Sequence, residues 1–120
     1  MSWFASDIGP LIAHVVGDFI LQNEWMAREK KRSSLACLVH VVVYMLPFLL
    51  CSLAWWQLAL IAAQHFVQDR SGFVYWWMRV WKRVHPDYWG SIALFVDQAF
   101  HLAWIAVVLA MEPLAPVSWP

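Results

Sequence analysis

Seven ionisable side chains, His14, Asp18, His40, His65, Asp69, Asp97 and His101, stand in stretches of the chain that are otherwise apolar. Imidazole nitrogens and carboxylate oxygens are the donors that bind zinc, manganese, iron and similar divalent ions, and the absence of cysteine from the set argues against a structural thiolate site. Six of the seven form pairs of one spacing: His14 with Asp18, His65 with Asp69, and Asp97 with His101. Four residues make about one helical turn with a rise of about 6 Å, so a helix presents each pair on one face, as it presents two metal ligands. Four His and three Asp exceed the three protein ligands usual for one open catalytic ion. They suit two ions about 3.5–4 Å apart, or one ion with a base and supporting partners.

The elements that position these residues follow from composition. With 120 residues, 62% hydrophobic and 13% charged, the chain has more apolar surface than a soluble domain of this size can hide. It is expected to be all-α: a polytopic membrane protein, one four-transmembrane-helix bundle over residues 1–120 with an intramembrane His/Asp centre. Spans need about 20 mostly apolar residues, and four candidates are expected at about 3–25, 34–56, 57–75 and 89–112. Ser6 or Asp7 is a cap for the first. Pro47 should kink the second, Ser71-Gly72 is a weak point in the third, and the proline-containing tail 113–120 ends the fourth. Before Asp18 there is neither a basic start nor a small-residue cleavage pattern, so no removable signal peptide is expected.

Charge sets the orientation. Arg28, Lys30, Lys31 and Arg32 lie between the first two spans and Arg79, Lys82 and Arg83 between the last two, whereas the termini and the turn near Ser52–Trp56 carry no Lys or Arg. The positive-inside rule then puts both basic loops in the cytoplasm and both termini on the periplasmic side of a bacterial inner membrane. On that topology all seven residues lie roughly 8–18 Å below the cytoplasmic ends of the spans. Each pair has His deeper and Asp nearer the cytoplasm, with His40 alongside. Charge at such depth costs several kcal/mol by rough estimates, so these groups are functional candidates by default. A structural polar network is the plainer explanation, but seven such groups at one depth weigh against it.

Gln22, Tyr44, Gln68 and Gln98 extend the polar face and are expected to hydrogen-bond the ligands or the substrate; Gln64 lies on it too. Taken singly, each of these side chains is commonly interhelical glue. His85, beside Pro86-Asp87, reads as a solvated loop residue. Cys37 and Cys51 would lie about 21 Å apart on one helix, too far for a disulfide, and read as packing residues. The aromatic and basic stretch 73–89 reads as an interfacial anchor. Segments 14–18 (HVVGD) and 65–69 (HFVQD) are similar enough to suggest a duplicated two-helix unit. Zero formal net charge and the lack of a nucleic-acid module exclude nucleic acid as the partner. No phosphate-binding glycine loop, GxSxG elbow or supported cysteine nucleophile is present.

As an ordered set, HVVGDF with Gln22 and Trp25, a basic residue at Lys30 or Lys31, then LVHVVVY, HFVQD and FVDQAFH, the chain from about Leu11 to Leu102 resembles a family of small bacterial and phage-encoded membrane proteins known as a domain of unknown function. The resemblance implies four membrane helices and a shared polar centre at the seven residues above. It brings no reaction. In that pattern a Lys often follows the third motif by about a turn, where this chain has Arg70-Ser71-Gly72. A looser similarity, in architecture alone, is to membrane-embedded metal-dependent hydrolases.

The expected function is metal-assisted hydrolysis of a lipid or other amphiphile entering from the cytoplasmic leaflet. One or two divalent ions are expected, zinc first, with manganese or iron as alternatives. The histidines, Asp18 and Asp69 are the expected ligands, Asp97 is a ligand or the general base, and Asp18 and Asp97 are the catalytic candidates. Membrane lipid is the expected partner, and a homo-oligomer is left open. Two other functions use the same residues differently. One is a carrier of metal ions or protons, and the other a phage-type lysis or exclusion factor in which the polar centre is only structural.

Overall fold

The computed structural model describes residues 8–111, and these are all-α, with no strand among them. Helix α1 (Gly9–Val15) has Pro10 in its first turn, where a missing N–H costs nothing, and continues into a π turn, Val16–Ile20. Asn23 caps α2 (Glu24–Glu29) by accepting from the Met26 N–H at 2.9 Å. Ser33 caps α3 (Ser34–Met45) in the same way through the Ala36 N–H at 3.2 Å. Helix α4 (Trp55–Arg70) opens with Gln57 Oε1 accepting from the Ala54 N–H at 2.9 Å. Helices α5 (Phe73–Val80) and α6 (Gly90–Ala110) complete the set.

Three of the four long helices expected from the sequence are interrupted. The first ends at Ile20, and Trp25 belongs to the separate α2, because Asn23 competes for the backbone and starts a new helix. The second stops at Met45, where Pro47, which cannot donate to the helical ladder, opens a 3₁₀ turn through Leu50. The third stops at Arg70 on Ser71-Gly72, after which α5 begins. Only α6, at 21 residues, is long and apolar enough to cross a membrane among the described residues; Gly9–Ile20 and Ser34–Leu50 are apolar but shorter. The expected cap at Ser6 or Asp7 and the tail from 113 lie outside the described residues.

Helix α3 packs along α4 and α4 along α6, while the π turn lies on α3 and α1 lies on the Pro47–Leu50 turn and α6. At one end of this bundle Ala13, Tyr44, Phe48, Ile61, Ile105 and Val108 form an apolar core. Next to it the interior turns polar: His14, Asp18, His40, His65, Gln68, Asp69 and His101 are all buried. The exterior is apolar, with Ile20, Leu35, Val67 and Phe95 each more than 60% exposed. Cys37 and Cys51 are buried and unpaired, as packing residues would be.

Gly17 makes the closest of these packings. A Cβ built on it would stand 2.7 Å from the Tyr44 ring and 2.8 Å from the Tyr44 backbone oxygen. Only glycine lets the π turn reach α3 this closely. The π turn itself is closed by Leu21 N–H bonding the Val16 carbonyl, five residues back, at 3.0 Å. Its wider coil re-aims the side chain of Asp18 relative to the regular helix before it.

Candidate metal centre

Three helical segments bring four donors to a single point. His40 from α3, His65 and Asp69 from α4, and Asp18 from the π turn form one group whose donor atoms lie within 4.8 Å of one another. His40 Nε2 is 3.0 Å from His65 Nε2, 3.1 Å from Asp69 Oδ2 and 3.3 Å from Asp18 Oδ1; His65 Nε2 is 3.0 Å from Asp69 Oδ2 and 3.4 Å from Asp18 Oδ1. Zinc–ligand bonds of about 2.0–2.1 Å in a tetrahedron put the ligands about 3.3–3.4 Å apart. The five separations run close to that edge length.

Protons alone fit this arrangement poorly. Two Nε2 atoms facing each other at 3.0 Å share one proton at most. Asp18 Oδ1 is buried and makes no hydrogen bond, although both imidazoles stand beside it. An orphaned carboxylate oxygen in a dry interior is expensive. A cation among the four donors satisfies all of them at once, so the cluster could hold a metal ion. The Nδ1 atoms of His40 and His65 are buried without a hydrogen-bond partner among the described residues.

A second group shares Asp18 and adds Asp97 and His101 from α6. His101 Nε2 lies 3.1 Å from Asp69 Oδ1 and 3.7 Å from Asp97 Oδ2. Asp69 therefore faces the first group with one oxygen and His101 with the other. Three ligands leave a position open on this side. Asp97 is the half-buried member and lines a cavity of about 280 Å³ between α2, α5 and α6.

His14 is brought into the same interior but belongs to neither group. Its Nδ1 is 2.7 Å from the Tyr44 hydroxyl and its Nε2 is 2.6 Å from Gln98 Oε1, and Asp18 is 3.9 Å away. Both ring nitrogens of His14, expected among the ligands, are thus engaged by protein partners. It acts instead through Gln98, whose amide donates to Asp18 Oδ2 at 3.1 Å and to Asp97 Oδ2 at 3.2 Å. Tyr44, expected to hydrogen-bond a ligand or the substrate, bonds His14, and its ring stacks on His65 with centroids 3.7 Å apart. His101 stacks on the other side of His65 at 4.0 Å, fixing the imidazole planes.

The remaining polar side chains make the following contacts. Gln68 donates to the carbonyl and the carboxylate of Asp97, both at 2.9 Å. Gln64 Oε1 is 3.3 Å from His101 Nδ1. Gln22 donates weakly to the Asp18 carbonyl at 3.4 Å and accepts from Lys30 at 3.0 Å. His85 lies exposed in its loop, away from the centre.

Lys30 makes a contact that the charge pattern alone does not contain. Its Nζ donates to Asp69 Oδ2 at 3.0 Å, so it reaches a ligand atom of the first group from the basic segment. Burial opposes its charge, but the carboxylates of Asp69 and Asp18 outweigh that and push its pKa above the usual lysine value. Lys31 donates to the Asp69 carbonyl at 3.2 Å, and Arg70 donates to the Lys31 carbonyl at 2.6 Å. The signal was the basic residue at Lys30 or Lys31 in the ordered motif set, which a purely topological role does not require.

Fold and centre together define a class: an all-α protein whose interior gathers histidine and aspartate into a buried cluster able to hold a metal ion. The chain belongs to the family described as protein of unknown function (DUF3307), whose model matches residues 8–119. No curated protein and no solved structure matches it.

Proposed function

We infer that this chain is a four-crossing protein of the bacterial inner membrane that holds one or two divalent transition-metal ions, zinc foremost, in the cytoplasmic half of its bundle and hydrolyses a lipid or other amphiphile. The observation that carries the metal is a group of four donor atoms within 4.8 Å of one another, five of whose separations are 3.0–3.4 Å, a spacing that suits zinc's tetrahedral preference. Asp18, His40, His65 and Asp69 would hold one ion in a closed site. Asp18, Asp97 and His101 would hold a second with a position left for water or substrate. When bound, such an ion lowers the pKa of a water to near neutrality and polarises a phosphoryl or acyl oxygen.

The chain's own residues do the rest. Gln98 bridges His14, Asp18 and Asp97 and fixes their carboxylates, Gln68 holds Asp97 from the other side, and Lys30 neutralises part of the charge on Asp69. The membrane reading is supported by a polar interior inside an apolar exterior and by the basic segments at the chain positions 28–32 and 79–83. Broken helices are compatible with it, since irregular backbone is tolerated at membrane depth where it is covered by protein or lines a cavity. An apolar groove of about 610 Å³ between α4 and α6 includes in its lining Gln64 and Gln68, which hydrogen-bond His101 and Asp97, a pairing of apolar and polar walls that suits an amphiphile.

Membrane fractionation with reporter fusions in the loops at 28–32 and 79–83 tests the topology, with both loops expected in the cytoplasm. Metal-loaded protein in mixed micelles is then expected to release product from a membrane lipid, and chelation to stop it. Ion flux into liposomes without any hydrolysis would replace the enzyme by a carrier.

A further inference from the structure

The cavity beside Asp97 has a chemistry that the metal centre alone does not explain. Lys30 and Lys31 line one wall, Asp97 contributes a carboxylate, and Val74, Tyr75 and Leu94 make the remainder largely apolar. Lys30 is 13% exposed at its side chain and spends two of its three N–H donors, on Asp69 and Gln22. Lys31 spends one on the Asp69 carbonyl and stands 5.5 Å from the centre of the Tyr75 ring. Three ammonium donors on the two lysines are thus uncommitted among the described residues. Lys30 has its counterion in Asp69, whereas Lys31 meets only a backbone carbonyl, so an anion entering the cavity finds one ammonium without a carboxylate partner together with the three uncommitted donors.

Resting on the proposed metal-dependent hydrolase, we propose that this cavity binds the phosphoryl oxygens of a phosphate ester, which makes the substrate a phosphate ester rather than a carboxylic ester. A phosphoryl group offers several anionic oxygens to point charges of this kind, and lysine is a regular phosphate ligand. A neutral acyl ester in its ground state offers no anionic oxygen to these donors. Asp97 on the same cavity repels an anion unless a cation stands at the Asp18, Asp97 and His101 group, so anion binding depends on the metal. In the reaction a water oxygen forms the new P–O bond and the ester P–O bond breaks. The proton lost by water ends on the departing alcohol, and no oxidation state changes.

The test is calorimetric titration of inorganic phosphate into detergent-solubilised protein whose metal content is measured on the same sample. Metal-loaded protein is expected to bind phosphate, and chelation to abolish that binding. Lys31→Gln should weaken it at least tenfold with bound metal unchanged, and Lys31→Arg should restore most of it, which controls for misfolding. Metal-loaded protein that ignores phosphate, or binds it equally well as Lys31→Gln, overturns this proposal and leaves the metal reading standing; protein that takes up no metal overturns both. A turnover arm separates the sources of the ester: phosphate release from phosphatidic acid in mixed micelles assigns a lipid, and release from p-nitrophenyl phosphate a soluble ester. Hydrolysis of p-nitrophenyl acetate with neither phosphate ester cleaved also overturns it.

Discussion

Segments 14–18 and 65–69 carry the same two residue types at the same spacing and end in the same interior, yet they deliver different things. In α4 the helix is regular, and His65 and Asp69 both place donors in the cluster, 3.0 Å from each other. In the first segment the coil widens to a π turn between them, so Asp18 reaches the cluster while His14 turns to Tyr44 and Gln98. Spacing puts two residues on one helix face; the backbone between them decides whether both aim at one point. Gly17 is the cause that can be named, since no other residue allows the π turn to lie on Tyr44 as it does. A shared motif therefore has a ligating copy and a half-supporting copy.

That contrast can be broken at its strongest point first. Asp69→Ala or His65→Ala removes a donor from the four-atom group, and bound metal is expected to fall from stoichiometric to background by elemental analysis, with hydrolysis lost alongside. Retention of metal by both variants would make the cluster a polar network. His14→Ala should be milder, weakening metal affinity by about 10–100-fold, as removal of a residue that supports a ligand does. A zinc competition assay measures it, and equal losses for His14 and His65 would erase the distinction between the two copies.

Gly17→Ala sharpens the comparison from the backbone side. The added methyl meets the Tyr44 carbonyl and ring, and overpacking of this kind costs about 1–3 kcal/mol. Thermal unfolding in detergent should show a lowered midpoint, whereas Gln68→Ala, which leaves that contact alone, should not reproduce it by the same route. The smallest effect is expected of Tyr44→Phe, which deletes one hydrogen bond to His14 and keeps the ring on His65. Its stability loss should be about 1 kcal/mol, and metal content should be unchanged.

Much of the centre was legible because pairing by one turn is a property of sequence. His65 with Asp69 followed from spacing, and Pro47 and Ser71-Gly72 marked breaks that the chain makes. Other features depend on what touches what across the fold. That His14 bonds Tyr44, that Gln98 reaches His14 and Asp18, and that Lys30 descends onto Asp69 are contacts between residues 30 or more apart, which no local pattern contains. Helix length was overestimated because hydropathy averages over a window and does not register an Asn that caps a new helix in mid-run, as Asn23 does. Alone, apolar runs predict burial or membrane contact better than they predict continuity.

The central claim is that Asp18, His40, His65 and Asp69 hold a metal ion, and metal content tests it most directly. Protein purified in detergent without chelators, dialysed against zinc or manganese and analysed by elemental mass spectrometry, is expected to retain one to two ions per chain, and Asp69→Ala close to none. Wild-type protein that emerges metal-free and takes up neither ion would contradict the account.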